Sequence, residues 1–179
     1  METYTLNIAG VTRHLPLRRV NEHLQIAAFI MLGDTELVEA VAAEMVKLMP
    51  EGIEYLVTPE TKSIPLCHAM ARLMGIDYVV LRKRKKVYMR DALTVVVKSI
   101  TDAKDQELIL DGTDAKKING RRVAVIDDVI STGGSLKAVE ELLSQTTCVV
   151  AAKAAALLEE GGYKGDDVIT LGTLPVFVD

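Results

Sequence analysis

The sequence predicts an α/β fold: a central, mostly parallel sheet flanked by helices, with a small N-terminal segment and an inserted antiparallel hairpin. Three observations predict it. Short apolar strands alternate with helix-length amphipathic stretches, the order that builds a parallel sheet covered on both faces. Aliphatic residues supply the core while aromatics are scarce, with two Phe, five Tyr and no Trp in 179 residues; that is the usual filling of such a sheet. The apolar run 122–126 ends in two acids, a glycine-containing loop and a helix pattern, and open α/β sheets bind ligands at that end of a strand.

The length suits one domain, 1–179. Tyr4–Ile8 and Thr12–Leu17 read as two short strands joined at Ala9-Gly10, with Pro16 weakening the second. Leu37, Val38, Val41, Met45 and Leu48 recur at helical spacing after Gly33-Asp34, and this helix stops near Pro50. Tyr55–Thr58 is a strand, Ile64–Met74 a helix closed by Gly75, and Tyr78–Leu81 a second core strand. Residues 82–120 break the rhythm. They open with the basic run Arg82-Lys83-Arg84-Lys85-Lys86 and continue as two β-rich pieces, Leu93–Ser99 and Gln106–Leu110, the pattern of a hairpin inserted after a core strand. Long excursions of this kind are often functional. Arg122–Ile126, a helix over Leu136–Leu143 and a strand over Cys148–Ala156 complete the series.

Composition narrows the function. A net charge of −4 and a pI near 5.5 argue against a nucleic-acid binder, which is normally basic. No apolar run reaches membrane-spanning length, and the N-terminus lacks a signal-peptide pattern, so the expected location is the cytoplasm. Cys67 and Cys148 fit reduced thiols, and the three His and two Cys show no zinc-ligand spacing.

The chemistry concentrates at Val123–Ser135. Glycines 133 and 134 allow the backbone to turn tightly and approach a ligand. Several amides can then face one anion, reinforced by the positive end of the next helix. Thr132 and Ser135 add hydroxyl donors, and each charge-assisted bond contributes about 1.5–3 kcal/mol. Asp127 and Asp128 are poor phosphate ligands but good partners for sugar hydroxyls and for water-bound Mg²⁺. A phosphate cradle beside paired carboxylates describes a ribose 5-phosphate site. The loop is neither a nucleotide P-loop nor a dinucleotide fingerprint.

This segment resembles the phosphoribosyl pyrophosphate (PRPP) motif of type I phosphoribosyltransferases, and roughly residues 24–172 are similar to the adenine and xanthine members. The resemblance implies that Asp127 and Asp128 hold the ribose hydroxyls and that Ser131, Thr132, Gly133, Gly134 and Ser135 hold the 5-phosphate. It places Glu60, Thr61, Lys62 and Ser63 in a pyrophosphate loop with a cis peptide near Glu60-Thr61, although Ser63 stands where adenine-type members carry Gly. It makes Arg82, Lys83 and Lys86 pyrophosphate ligands. No general acid or base is assigned by it; Lys86 and, from its place on the hairpin, Glu107 are the catalytic candidates beside the two acids. The hairpin resembles a flexible loop whose closure excludes water from an oxocarbenium-like transition state. Residues 1–33 would form a hood whose apolar Ile26, Ala27 and Phe29 lie either against the base or, equally, in the core, with Ile130 and Glu159 also against the base.

The expected reaction is adenine plus PRPP giving the nucleoside monophosphate AMP and pyrophosphate, with Mg²⁺, in a homodimer. Ser131, where hypoxanthine–guanine enzymes have Asp, points away from that subfamily. Xanthine enzymes carry Lys near Glu160, which tilts the expectation to adenine over xanthine. A PRPP-sensing regulator and an orotate or uracil enzyme are the competing readings. Lys62 and the basic run favour catalysis over sensing, and the hairpin fits the orotate enzymes less well.

Overall fold

A computed structural model describes residues 2–97 and 106–178. The central sheet is wholly parallel. Its core order is β9 (Val149–Glu159), β8 (Arg122–Ile130), β4 (Tyr55–Pro59), β5 (Asp77–Leu81). Two short strands, β10 (Ile169–Thr170) and β11 (Thr173–Leu174), extend the β9 edge. The tip of the inserted hairpin, including the predicted strand end at 98–99, lies outside the described residues.

Strand alternation divides the core between the two faces of the sheet. Ala124 and Ile126 of β8 and Leu56 of β4 pack on α1 (Thr35–Leu48) and α2 (Ile64–Met74). Val123 and Val125, with Val57, pack on α3 (Gly112–Ile118) and α4 (Gly134–Leu143). Leu56 is 0% exposed. Leu56→Ala is therefore expected to lower unfolding free energy by about 2–5 kcal/mol, checked by urea denaturation.

Local chemistry explains the helix bounds. The Asp34 carboxylate caps α1 by accepting from the Leu37 amide, and Gly75, at φ 67°, closes α2 in the left-handed region. Asp111 caps α3 through the Thr113 amide. The sequence reading missed α3, placing it inside the hairpin insertion, because seven residues carry little periodicity. Ala115 and Ile118 nevertheless bury it against the core.

The N-terminal segment forms a second, antiparallel sheet, β1 (Thr3–Ile8), β2 (Val11–Asn21), β3 (Leu24–Ala27), β12 (Val176–Val178). Ala9 and Gly10 both take positive φ, the pairing a tight hairpin turn needs. Pro16 does not end β2. It sits where β2 leaves β1 and begins to pair with β3, so its missing N–H breaks neither ladder. Arg13 ties this sheet to α1, reaching Asp34 at 2.7 Å and Glu36 at 2.7 Å. The hairpin strands β6 (Leu93–Val97) and β7 (Gln106–Leu110) pair with each other, and Val95, Leu108 and Leu110 seat them in the α4-side core.

Candidate active site

β8 is longer than the apolar pattern suggests. It continues past Ile126 through the two acids to Ile130, held by pairing of Val129 and Ile130 with Leu157 and Leu158 of β9. Asp127 and Asp128 thus stand on a rigid strand rather than in a loop. Asp128 is 3% exposed, and its amide donates to Asp127 Oδ1 at 2.9 Å. Its Oδ2 is buried without a hydrogen bond. Lys62 Nζ lies 3.1 Å away as an ion pair, but off hydrogen-bond alignment.

Beyond β8, Ser131 and Thr132 lead into Gly133, whose φ of 86° places it in the left-handed region at the N-cap of α4. No side chain caps this helix and its first turn holds no acid, so its leading amides remain open to an anion. A concavity of about 50 Å³ is lined by Asp127, Ile130, Ser131, Gly133, Gly134 and Ser135. It adjoins a cleft of about 500 Å³ lined by Glu60, Thr61, Lys62, Ser63, Lys83, Glu107, Asp127 and Asp128, among others. The segments expected at 60–63, 107, 127–128 and 131–135 therefore meet around one opening.

The 58–63 loop takes its shape from buried hydroxyls. Thr58 Oγ1 donates to the Ile126 carbonyl at 2.9 Å and meets Ser63 Oγ at 2.7 Å. The Pro59 carbonyl lies 3.2 Å from Ser63 Oγ and shares that hydroxyl's one proton with Thr58 Oγ1. The Ser63 hydroxyl is thus turned inward and fastens the loop instead of reaching a ligand. The Glu60–Thr61 peptide is cis, as the resemblance implies.

Glu60 lines the cleft with its carboxylate engaged by the basic run. Its carboxylate accepts from the Lys83 amide at 3.0 Å and from Arg82 Nε at 3.1 Å. Those bonds, the Lys83 amide first, hold its carboxyl below the ordinary value. Arg82 further donates to Tyr88 Oη at 3.0 Å. Glu60 and Arg82 join the 58–63 loop to the basic run, and Lys83 is the cation of that run that lines the cleft. Lys86 is half-buried in the turn to Met89.

Among the residues expected against a base, Ala27 and Phe29 are 2% and 4% exposed and belong to the core under the terminal sheet. Neither lines the cleft: Ala27 pairs with Leu17 of β2, and Phe29, just past β3, is buried in the same core; Ile26 is half-buried beside them. Ile130 lines the smaller concavity at the start of α4, with its body in the α4-side core. Glu159 ends β9 one residue past the Ile130–Leu158 pair, and burial pushes its carboxyl up.

The Asp127 carboxyl is pushed up to about 7, first by burial and then by the charge of Asp128. This carries a sign for stability. Folded Asp127 binds its proton more tightly than the unfolded chain, whose ordinary value is 3.8. The stabilisation is full below that value and is lost as pH rises towards about 7. Melting temperatures of the free protein from pH 4 to 8 are expected to fall more steeply for wild type than for Asp127→Asn. Parallel curves would contradict the placement of this proton.

The two acids fit a divalent cation only in part. Mg²⁺ demands six oxygens in near-octahedral array, and no cluster of three or more His, Cys, Asp or Glu occurs among the described residues. A buried carboxylate oxygen without a hydrogen bond, beside a second carboxylate, suits a cation whose remaining ligands are water and substrate oxygens.

Comparison with known proteins agrees with this geometry. The pattern of the phosphoribosyl transferase domain matches residues 33–171. The chain belongs to the phosphoribosyltransferase family. It is 34% identical over 142 residues to a hypoxanthine/guanine phosphoribosyltransferase of Methanocella paludicola, covering 76% of this chain and 70% of the relative. A second relative of that name, from Methanothermococcus okinawensis, is 32% identical over 65% of this chain; the chain spans 60% of its length. The crystal structure of adenine phosphoribosyltransferase from Thermoanaerobacter pseudethanolicus superposes with a TM-score of 0.66 at 18% identity, covering 80% of this chain and 84% of that one. The loops at 58–63, 82–86 and 127–135 of this phosphoribosyltransferase all fall within the matched span.

Sequence reasoning missed two contributors. Thr58 fastens the 58–63 loop to β8, and its signal was a hydroxyl at the end of an otherwise apolar strand. Gly162 lies so close beneath the cradle that a Cβ there would stand 2.3 Å from the Ser131 carbonyl oxygen; its signal was the Gly161-Gly162 pair.

Proposed function

We propose that this phosphoribosyltransferase moves the 5-phosphoribosyl group of PRPP to a purine, releasing pyrophosphate, with a 6-oxopurine as its acceptor. The observation that carries the transfer reaction is the meeting of two strand-borne carboxylates, an uncapped helix N-terminus and Lys62 around one cleft. The amides of 131–135 would hold the 5-phosphate. Asp127 and Asp128 would accept from the ribose 2′- and 3′-hydroxyls. Lys62 and Lys83 would lie along the diphosphate. Mg²⁺ held at the two acids through water would neutralise diphosphate charge. The protein would contribute chiefly positioning and electrostatic stabilisation, and Glu107, across the cleft on β7, would face the reacting centre.

The acceptor rests on the relatives named for hypoxanthine and guanine at 32–34% identity, which outweigh the Ser131 argument against that subfamily. Adenine is the second reading. It is favoured by Glu160, whose carboxylate accepts from Thr173 Oγ1 at 3.0 Å where xanthine enzymes carry Lys. The homodimer and the hood belong to the same proposal. The test is a panel of hypoxanthine, guanine, xanthine and adenine with PRPP and Mg²⁺, following nucleoside monophosphate and pyrophosphate together. Hypoxanthine or guanine should give the highest kcat/KM. Preference for adenine would transfer the assignment to the second reading. Pyrophosphate formation with no purine would overturn the proposal.

A further inference from the structure

A short segment after β9 lies directly against the phosphate cradle. The Tyr163 ring is clamped between two glycines. A Cβ on Gly133 would stand 2.5 Å from Tyr163 Cδ2, and a Cβ on Gly165 would stand 2.6 Å from Cε1 and Oη on the opposite edge. Real side chains do not tolerate such distances, so the ring occupies the space that only glycine leaves at both positions. Gly133 is also the left-handed residue that turns the cradle into α4.

The ring is held in place from behind. Tyr163 Oη donates to Asp167 Oδ1 at 2.7 Å. Asp167 pairs in turn with Lys153 of β9, whose ammonium also reaches Glu140 of α4 at 2.8 Å. The Lys153 side chain is only 13% exposed. This network therefore links β9, the 161–167 segment and the helix that starts at the cradle. None of its members touches the cleft.

We propose that Tyr163 is a positioning residue for phosphate binding: its ring fixes the backbone of Gly133, and the Asp167–Lys153–Glu140 chain fixes the ring relative to α4. The inference rests on residues 131–135 being the phosphate cradle. A cradle built chiefly of backbone amides, with only the short Thr132 and Ser135 hydroxyls beside them, depends on backbone shape for its affinity, and misplacement near 1 Å can cost orders of magnitude.

The test uses Tyr163→Phe, Tyr163→Ala, Gly165→Ala and the double variant Gly165→Ala/Tyr163→Ala. The Kd for ribose 5-phosphate is read by calorimetry beside KM for PRPP, KM for the purine, and kcat. Tyr163→Ala is expected to weaken ribose 5-phosphate and raise KM for PRPP about tenfold each, with KM for the purine within about twofold. Tyr163→Phe keeps the ring and should fall between that variant and wild type. Gly165→Ala, at an exposed position, should weaken ribose 5-phosphate by pushing the ring, and should add nothing once the ring is gone. Unchanged affinity in Tyr163→Ala, equal rises in both KM values, or additive effects of the two substitutions would overturn the inference. Wild type that binds ribose 5-phosphate but turns over no purine would sink the proposed reaction while leaving these binding comparisons decisive. Wild type that fails to bind it would sink both.

Discussion

Asp128→Asn is expected to lower kcat/KM for PRPP by at least about tenfold, or about 1.4 kcal/mol of transition-state stabilisation. Asn keeps the shape of the side chain and removes its charge. The lost groups are the acceptor oxygen that is buried without a hydrogen bond and the anion that faces Lys62 at 3.1 Å. An amide nitrogen in that place presents donors to a ribose hydroxyl and to an ammonium, where an acceptor is needed. Stability should move the other way. Asp127 is pushed up partly by the charge of Asp128, so the substitution relieves like-charge repulsion and should leave the melting temperature equal or higher. Steady-state kinetics paired with thermal unfolding reads both. Near-normal kcat/KM would show that the ribose hydroxyls lie elsewhere.

The second large effect is expected at Lys62. Lys62→Met retains most of the apolar stem and deletes the charge, so losses report electrostatics rather than packing. The forward kcat should fall about tenfold or more, because charge developing on the departing diphosphate loses its nearest cation. In the reverse direction KM for pyrophosphate should rise, while KM for the nucleotide changes less. The pH profile supplies an independent readout. Lys62 lowers the Asp127 carboxyl through its charge; its removal raises that carboxyl, so the acid limb of kcat/KM should move to higher pH. The side chain is 54% exposed, and solvent screening keeps the expected loss of fold stability small. Unchanged kinetics together with an unmoved acid limb would place the diphosphate away from residues 60–63.

Much of this site was legible because its chemistry is local in sequence. The glycines, hydroxyls and acids of 127–135 are consecutive, and strand, loop and helix can be read from one short stretch. Gly75 ended α2 where the left-handed position demands a glycine. Long-range pairing hid the rest. Asp127-Asp128 reads as the end of a strand, since two acids do not look buried, yet β9 continues the ladder through Ile130. Residues 24–27 are too short to show alternation, and their partner strand lies at 176–178. Ala27 pairs with Leu17 of β2, and Phe29, just past β3, is buried in the same core; the apolar run alone offered both equally as base contacts or as core.

Side-chain roles diverged for a similar reason. Glu60 and Arg82 are 22 residues apart, and the β4–β5 pairing that brings them together as hydrogen-bond partners cannot be read from either segment alone. Ser63 looked like a substitute for glycine in a ligand loop, and became a buried fastener through Thr58, five residues earlier.

The most direct test is diffraction from crystals grown with ribose 5-phosphate, Mg²⁺ and pyrophosphate. The 5-phosphate should lie within hydrogen-bond distance of the amides of 131–135, with the ribose hydroxyls on Asp127 and Asp128 and the pyrophosphate beside Lys62. A 5-phosphate bound elsewhere, with 131–135 empty, would contradict the assignment of this loop.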